Sequence, residues 1–492
     1  MPTDERPAAR GLLVAGTSSD AGKSLVTAGI CRFLARQGLR VAPFKAQNMS
    51  NNSMVCPDGT EIGRAQYLQA QAAGAVPESA MNPVLLKPGS DRRSFVVVRG
   101  RPAGTLEAGE FASGRRHLAQ AAFAAYEELA QRYDVIVCEG AGSPAEINLR
   151  AGDYVNMGLA RRFSLPVVVV GDIDRGGVFA SLYGTVMLLD DADRSLVRGL
   201  VINKFRGDVD LLRPGLDRIA ELTGVPVLGV LPWLDDVWLD GEDTLQVGRW
   251  GSSRRPAGPV VRVAAIRFPR LSNVTDLDAL ASEPGIEVTM TNDPVTVRSA
   301  DLVVLPGSRA TVSDLAWLRA TGLADAVTAA AARAVPVLGI CGGFQMLGGR
   351  IVDDVESGAG SVVGLGLLPV SVTFGPAKVL ATPRGTWSGH EVLGYEIHHG
   401  VAAVEPGAQA FLGGARAGSV WGTMWHGAFE NDGFRRAWLH ATTGFRADPA
   451  VPGFRARREA MLDRLADAVA EHVDGPALMN VLGSVTPRQT LR

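Results

Sequence analysis

The chain has 492 residues, and at about 150 residues per domain this length predicts two to four domains. Hydrophobic residues make up 46% of the chain and charged residues 20%, a composition that provides for large cores and excludes bulk disorder. The 49 Lys and Arg residues against 51 Asp and Glu leave a net charge of -2, too little to attract nucleic acid or an acidic membrane. We therefore expect a soluble globular protein whose partners are neither nucleic acids nor membranes.

The cysteines and the start of the chain indicate a compartment. The cysteines lie far apart and form no CxxC pair, which argues against a zinc site or a disulfide framework and favours a reducing compartment: Cys31, Cys56, Cys138 and Cys341. The apolar run at 11–16 is too short for a signal sequence or a membrane span. We predict a cytoplasmic protein.

Short apolar runs alternate with helical patterns along residues 1–250. A strand at 11–16 precedes a helical pattern at 24–37 and a second strand at 39–44. Later runs are apolar at consecutive positions, as in strands buried on both faces, and they lie at 134–140, 165–174, 198–204 and 225–232. This order predicts a doubly wound α/β domain with a parallel sheet covered by helices.

A stretch rich in Arg, Ser, Gly and Pro then predicts a linker at 251–259. Strand patterns resume at 260–268, 285–290, 301–307 and 335–343, which predicts a second α/β domain over residues 260–445. Met461, Leu465 and Val469 recur at helical spacing. We expect residues 446–492 to form a helical extension that packs on the second domain.

The first strand leads into the segment GTSSDAGKS, which has the form of a phosphate-binding loop. Five residues separate its outer glycines, where the usual loop has four. In such a loop, backbone N–H groups bind phosphate oxygens, Lys23 reaches the terminal phosphates, and the Ser24 hydroxyl ligates magnesium. The predicted ATP contacts are Gly16, Thr17, Asp20, Ala21, Gly22, Lys23 and Ser24.

The extra loop residue resembles the dethiobiotin synthetase branch of P-loop enzymes. That resemblance implies that Glu139, at the end of a later strand, completes the Mg²⁺ site with Ser24, although a solvated strand-end acid is the alternative. It also implies that Asn203 reads the base, unless Asn203 caps a turn. Lys45 is a candidate second phosphate or carboxylate contact, and its alternative is a surface lysine. Spacing does not decide whether the acids and arginine of GDIDRGG contact metal or substrate: Asp172, Asp174 and Arg175.

A cysteine in the second domain has the sequence context of a nucleophile. Cys341 lies in GICGG, between a predicted strand and a predicted helix, as in a nucleophile elbow. The helix N-terminus favours the thiolate, and backbone amides of Gly342 and Gly307 are placed to bind an oxyanion. A buried structural cysteine is the alternative. His426 is the leading general base, with His398 and His399 as rivals.

These motifs together resemble the family of cobyric acid synthase and cobyrinic acid a,c-diamide synthase, over nearly the whole chain. The similar segments are GTSSDAGKS, FKAQNMSNNS, EGAGSPAEINL, DIDRGGVFA, PGSRAT, GICGGFQMLG, GYEIHHG and MWHGAF. The resemblance implies a dethiobiotin-synthetase-like domain fused to a triad-type glutamine amidotransferase domain. It also implies Cys341 as nucleophile and His426 as its base.

One position departs from the family pattern. Triad amidotransferases usually carry a glutamate two residues after the histidine, where this chain has Ala428. Glu430 or a backbone carbonyl is then left to orient the imidazole, or the site works as a dyad.

The resemblance implies amidation of corrinoid carboxylates with ATP, Mg²⁺ and L-glutamine. The expected substrate is adenosylcobyrinic acid a,c-diamide, amidated at its b, d, e and g side chains. The a,c-diamide synthase is the alternative within enzymes, although its GPD-containing phrase is missing from this sequence. A positioning or partition ATPase is the alternative of another class, but such proteins carry a lysine where this chain has Thr17. The sequence does not distinguish a monomer from a homo-oligomer.

Overall fold

A computed structural model describes residues 10–89, 93–107, 116–235, 237 and 260–483. The predicted linker at 251–259 lies outside the described residues. Within the described ranges, no helix combines the length and the apolarity that crossing a membrane would require.

The described residues up to 237 form the first domain. Its strands are β1 (Arg10–Gly16), β2 (Val41–Phe44), β3 (Gln47–Met49), β4 (Ser53–Val55), β5 (Glu61–Gly63), β6 (Val84–Pro88), β7 (Arg93–Val98), β8 (Arg101–Glu107), β9 (Val135–Glu139), β10 (Val167–Asp172), β11 (Val197–Phe205) and β12 (Val227–Pro232). Its helices are α1 (Lys23–Arg36), α2 (Arg64–Ala73), α3 (Arg116–Ala130), α4 (Met157–Phe163), α5 (Val178–Met187), α6 (Asp191–Arg194) and α7 (Arg213–Thr223).

Six of these strands form one parallel sheet in the order β12-β11-β10-β1-β9-β2. Alternate residues of β1 enter different cores: Leu13 and Ala15 face one apolar cluster, and Leu12 and Val14 face the other. A strand buried on both faces needs apolar residues at consecutive positions, which is the pattern seen in the sequence. The predicted doubly wound domain is confirmed.

Between β2 and β9 the chain forms additional strands that the sequence analysis did not predict. They are a four-stranded sheet in the order β3-β6-β7-β8 and a small hairpin of β4 and β5. These strands are three to seven residues long, too short for a clear periodicity. The hairpin lies against the second domain, where Val55 packs with Tyr395 and Ile397.

The residues from 260 to about 445 form the second domain. Its strands are β13 (Val261–Ile266), β14 (Leu271–Ser272), β15 (Ile286–Thr291), β16 (Leu302–Leu305), β17 (Gly307–Ser308), β18 (Val337–Ile340), β19 (Arg350–Asp353), β20 (Gly360–Val363), β21 (Val370–Ala381), β22 (Arg384–Trp387), β23 (His390–Leu393), β24 (Glu396–Val404), β25 (Gln409–Phe411), β26 (Gly414–Ala417) and β27 (Val420–Thr423). Its helices are α8 (Asp276–Ala281), α9 (Pro294–Arg298), α10 (Thr311–Ala320), α11 (Leu323–Ala332), α12 (Gly342–Leu347) and α13 (Asp432–Thr443).

The main sheet of the second domain has the order β15-β13-β16-β18-β27-β26-β25. Its first five strands are parallel, and β26 and β25 continue it antiparallel. A second sheet of β20, β19, β21 and β24 lies beside it. The prediction of a second α/β domain is confirmed.

The C-terminal helices are α14 (Phe454–His472) and α15 (Gly475–Leu482), and they correct one prediction. The apolar stripe of α14, including Met461, Leu465 and Val469, packs into the core of the first domain with α1. Only Phe454, at the start of α14, joins the core of the second domain. The prediction that this extension packs on the second domain is wrong for most of its length, because an apolar stripe identifies a buried face but not its partner.

Candidate functional site

The phosphate-binding loop connects β1 to α1 at the carboxyl edge of the parallel sheet. Gly22 has φ 92°, and a Cβ there would lie 2.2 Å from Asn203 Nδ2, so the position requires glycine. Lys23 Nζ donates to the carbonyl oxygens of Ser18 at 2.7 Å and of Gly142 at 3.1 Å. The Lys23 ammonium therefore lies over the loop, against its backbone carbonyl groups.

Glu139 is fully buried at the end of β9 and collects three polar contacts. Its Oε1 accepts from Ser24 Oγ at 2.7 Å and from Lys45 Nζ at 2.8 Å, and its Oε2 accepts from Gln69 Nε2 at 2.5 Å. The parallel strands place these side chains together because their carboxyl ends share one edge. Gln69, on α2, was not predicted from the sequence, because it is 70 residues from Glu139 and no motif indicates that the two are close.

The opposite side of the loop is held by β11 and the residues after β10. Asn203 Nδ2 donates to the carbonyl oxygen of Ala21 at 3.0 Å, and Lys204 Nζ donates to that of Asp20 at 2.7 Å. The acids and arginine of GDIDRGG form ion pairs here: Lys204 with Asp172, Arg175 with Asp20, and Arg206 with Asp174. Asn203 thus lies at the loop and supports its backbone. Thr17 is also fixed through its backbone, since its N–H donates to the Val170 carbonyl at 2.9 Å.

Cys341 lies between β18 and α12 in a strained conformation. Its φ of 48° and ψ of -110° are rare for a residue with a Cβ. Steric crowding explains why glycines stand on both sides of Cys341. A Cβ on Gly339 would lie 2.7 Å from the backbone of Phe344, and one on Gly343 would lie 2.0 Å from the Leu305 carbonyl oxygen. This is the backbone of a nucleophile elbow, as the sequence predicts.

The two glycines expected to bind an oxyanion are both closely packed. A Cβ on Gly307 would lie 3.1 Å from His426 Cε1, and one on Gly342 would lie 2.8 Å from the backbone nitrogen of Ser308. A side chain at Gly307 would therefore crowd the imidazole, and one at Gly342 would clash with the backbone of Ser308.

His426 follows β27 and is completely buried beside a carboxylate. Its Nδ1 lies 2.7 Å from Asp276 Oδ2, while Asp276 Oδ1 accepts from the Gly427 N–H at 2.7 Å. Burial lowers the pKa of His426, but the charges of Asp276 and Cys341 and the hydrogen bond to Asp276 raise it to about 10. The other ring nitrogen, Nε2, is buried and has no hydrogen-bond partner among the described residues. Cys341, His426 and Asp276 are thus grouped around one buried imidazole, in the arrangement of a candidate triad.

Asp276 is the residue that the sequence analysis missed. It begins α8, 150 residues before its partner His426, and no motif marks it. The signal available was weak: an acid at the first position of a helix is common, because it also favours the helix dipole. Only the tertiary structure shows which imidazole it contacts.

Glu430 does not orient the imidazole, so that alternative is wrong. Its carboxylate pairs with Arg64 of the first domain at 2.5 Å and with Arg458 of α14 at 2.9 Å. Burial would raise the pKa of Glu430, but the two guanidinium groups lower it to about 2. Glu430 therefore connects the second domain to α2 of the first domain and to α14.

The described contacts of the two rival histidines do not include Cys341, and both ring nitrogens of His398 are buried without a hydrogen-bond partner. His399 Nδ1 lies 3.1 Å from the carbonyl oxygen of Gly375, and His398 Nε2 lies 3.8 Å from Glu396 Oε1. Tyr395, just before them, stacks on the His426 ring with centroids 5.3 Å apart and an interplanar angle of 27°. Of the three histidines, His426 is the one whose pKa is raised by the charge of Cys341.

The two halves of the chain match different family models. Residues 12–247 match the CobQ/CobB/MinD/ParA nucleotide binding domain, and residues 262–434 match the CobB/CobQ-like glutamine amidotransferase domain. Among solved structures, a crystal structure of a glutamine amidotransferase covers 37% of this chain and 99% of its own, with 18% identity and a TM-score of 0.32. That likeness is too low to add to the assignment.

Close relatives span almost the whole chain. Cobyric acid synthase of Cutibacterium acnes is 61% identical over 481 residues, which cover 96% of this chain and 99% of the relative. The cobyric acid synthases of Mycolicibacterium gilvum and Mycobacterium tuberculosis are each 58% identical, with 96% of both chains covered. Identity at this level over complete domains leaves one conclusion: the chain belongs to the cobyric acid synthase family.

Proposed function

We propose that this chain amidates carboxylates of a corrinoid in cobalamin biosynthesis, using ATP and nitrogen from L-glutamine. The observation that carries the proposal is the presence, on one chain, of a phosphate-binding loop with Glu139 and of a separate Cys341–His426–Asp276 triad. Amide formation needs both: a means to activate a carboxylate and a source of unprotonated ammonia.

Activation takes place at the first domain. A carboxylate oxygen of the corrinoid attacks the γ-phosphorus of ATP, the bond from phosphorus to the β,γ-bridging oxygen breaks, and ADP leaves. Lys23 and Lys45 supply positive charge near the transferring phosphoryl group. Ammonia then attacks the acyl carbon, phosphate departs, and loss of a proton leaves the amide.

Ammonia is released at the second domain. The Cys341 thiolate attacks the side-chain amide carbon of glutamine, and backbone N–H groups of Gly307 and Gly342 receive the oxyanion. His426 gives its proton to the departing ammonia, and Asp276 holds the imidazole in the required orientation. Water then hydrolyses the thioester to glutamate and frees the thiol.

The residues around the loop fit a magnesium ion. The Ser24 hydroxyl and a Glu139 oxygen lie 2.7 Å apart, and both are donors of the oxygen type that Mg²⁺ prefers. In the part of the chain that the structure describes, no cluster of three or more His, Cys, Asp or Glu side chains could hold a metal. Most ligands would therefore be phosphate and water oxygens, and the bound ion would neutralise phosphate charge.

The proposal also names a specific corrinoid substrate. Family membership supports adenosylcobyrinic acid a,c-diamide, with amidation of its b, d, e and g side chains to adenosylcobyric acid. The test is mass spectrometry of the purified protein with glutamine, Mg-ATP and either this corrinoid or unamidated cobyrinic acid. Four added amides on the first substrate would support the proposal, whereas two on the second would indicate an a,c-diamide synthase. ATP hydrolysis without any amidation would contradict both.

Replacing Asp276 by Asn should impair only the glutaminase. The neutral amide would neither stabilise the imidazolium nor select its tautomer, so we expect kcat for glutamine hydrolysis to fall by about 10- to 100-fold. Ammonia-dependent amidation should remain near wild type, because the first domain is untouched. Steady-state assays with each nitrogen source check this. Unchanged glutamine hydrolysis would remove Asp276 from the triad.

Replacing Glu139 by Gln should alter the dependence on magnesium. The amide keeps the volume and an oxygen near Ser24, but it removes an anionic ligand and leaves the ammonium of Lys45 without its buried counterion. We expect the magnesium concentration for half-maximal activity to rise by about tenfold or more. Titrating MgCl₂ at saturating ATP measures this. The same midpoint in both proteins would exclude Glu139 from the metal site.

A further inference from the structure

We infer that segment 52–55 of the first domain is a positioning element for the triad of the second domain. The inference rests on the proposed glutaminase reaction and adds to it. It assigns Asn52, which lies in the segment FKAQNMSNNS but was given no role there, the task of holding the turn that precedes Asp276.

The first contact is a pair of buried hydrogen bonds across the domain boundary. Asn52 Oδ1 accepts from the Val274 N–H at 3.1 Å, and the Ser53 N–H donates to Asn273 Oδ1 at 2.9 Å. Asn52 is 2% exposed and Asn273 is 3% exposed. Because both asparagines are buried from solvent, these bonds fix the loop against the first domain.

The loop leads directly into Asp276. The Asp276 N–H donates to the Asn273 carbonyl at 3.3 Å, and the Leu277 N–H donates to that of Val274 at 3.0 Å. Asn273 has φ 49°, a left-handed conformation that few residues other than Asn, Asp and Gly adopt. The position of the carboxylate thus depends on a tight turn whose outer side is bound by the first domain.

The second contact reaches the imidazole. Val55 packs against Tyr395, whose ring stacks on His426. Tyr395 and His426 also exchange two backbone hydrogen bonds of 3.0 and 2.9 Å. One short segment therefore contacts both the turn before the acid and the tyrosine that stacks on the base.

The same segment is joined to the candidate nucleotide site. The Arg64 N–H at the start of α2 donates to the Asn52 carbonyl at 3.1 Å, and Gln69 on the same helix donates to Glu139. A single helix thus separates the positioning segment from the carboxylate of the other site. This continuity gives the first domain a physical means to hold the triad in its productive geometry.

The test compares substitutions at adjacent asparagines in the full-length protein. Asn52→Ala removes the acceptor for Val274, Asn52→Asp keeps an oxygen at that place, and Asn51→Ala makes the same change one residue away. Asn51 serves as the control because its side chain donates to the Pro88 carbonyl at 3.4 Å, within the first domain. Each variant is assayed for kcat and KM of glutamine hydrolysis and for ammonia-dependent amidation.

For Asn52→Ala we expect kcat of glutamine hydrolysis to fall by about tenfold or more, with KM and ammonia-dependent amidation within about twofold of wild type. Asn52→Asp should recover most of the loss, and Asn51→Ala should match wild type. A kcat within about twofold of wild type in Asn52→Ala would overturn the inference, as would a parallel loss of ammonia-dependent activity or the absence of rescue by aspartate.

A second variant covers the case in which Asn52→Ala does not fold. Asn273→Gly keeps the left-handed turn accessible and removes the acceptor for the Ser53 N–H, so it should show the same selective loss. Full glutaminase activity in this variant would overturn the inference. The proposed function fails separately, since a wild-type protein that hydrolyses no glutamine contradicts it before any variant is made.

Discussion

Cys341→Ser should abolish glutamine-dependent amidation while ammonia-dependent amidation continues. A serine hydroxyl is a far weaker nucleophile than a thiolate beside an imidazolium, so we expect turnover with glutamine to fall by about 1,000-fold or more. The change in volume is small, and the positive φ of residue 341 is imposed equally on either side chain. Ammonium chloride at raised pH supplies free ammonia to the acyl phosphate without help from the second domain.

The experiment measures product with glutamine and with ammonium for wild type, Cys341→Ser and a matched control. Cys31→Ser is that control, because Cys31 is a fully buried cysteine on α1, outside the cleft. It should keep both activities. If Cys341→Ser still used glutamine, Cys341 would not be the nucleophile; if a folded variant lost both activities equally, the two sites would not act separately.

Lys23→Ala should remove amidation with both nitrogen sources. The ammonium group at the phosphate-binding loop stabilises charge on the transferring phosphoryl group, and loss of one such contact costs about 100- to 1,000-fold in rate. Glutamine and ammonia both depend on the activated carboxylate, so the two assays should fall together. This pattern is the opposite of that expected for Cys341→Ser.

Basal glutamine hydrolysis provides the internal control for Lys23→Ala. It takes place at the second domain, and none of the hydrogen bonds described for Lys23 reaches that domain. We expect it to remain within a few-fold of wild type, with a similar thermal midpoint. Ammonia-dependent product at near-normal rate would contradict the role of the loop lysine in phosphoryl transfer.

Local patterns allowed much of both sites to be predicted from the sequence. The loop from Gly16 to Ser24 combines a strand end, a helix start and glycine at a left-handed position, all within nine consecutive residues. Cys341 is marked in the same way by glycines that avoid backbone clashes. Glu139 is found because strands of a parallel sheet end at a common edge, so order along the chain implies proximity.

The residues that the sequence left unidentified depend on contacts between distant segments. Asp276 meets His426 across 150 residues of chain, from a turn that hydrogen-bonds to Asn52 and Ser53 of the first domain. Glu430 is closer to His426 in sequence, but it forms ion pairs with Arg64 and Arg458 instead. Such choices among acids depend on burial and on competing cations, which spacing does not encode.

By itself the sequence determined the two α/β domains, the phosphate-binding loop and the elbow around Cys341, since each is built from neighbours along the chain. The tertiary structure decided the third member of the triad, the contact of Gln69 with Glu139, and the packing of α14 on α1. The physical reason is the same in each case. The sequence shows the charge, the apolar face and the hydrogen-bonding groups of each side chain. Which residue it contacts depends on which segments the folded cores bring together.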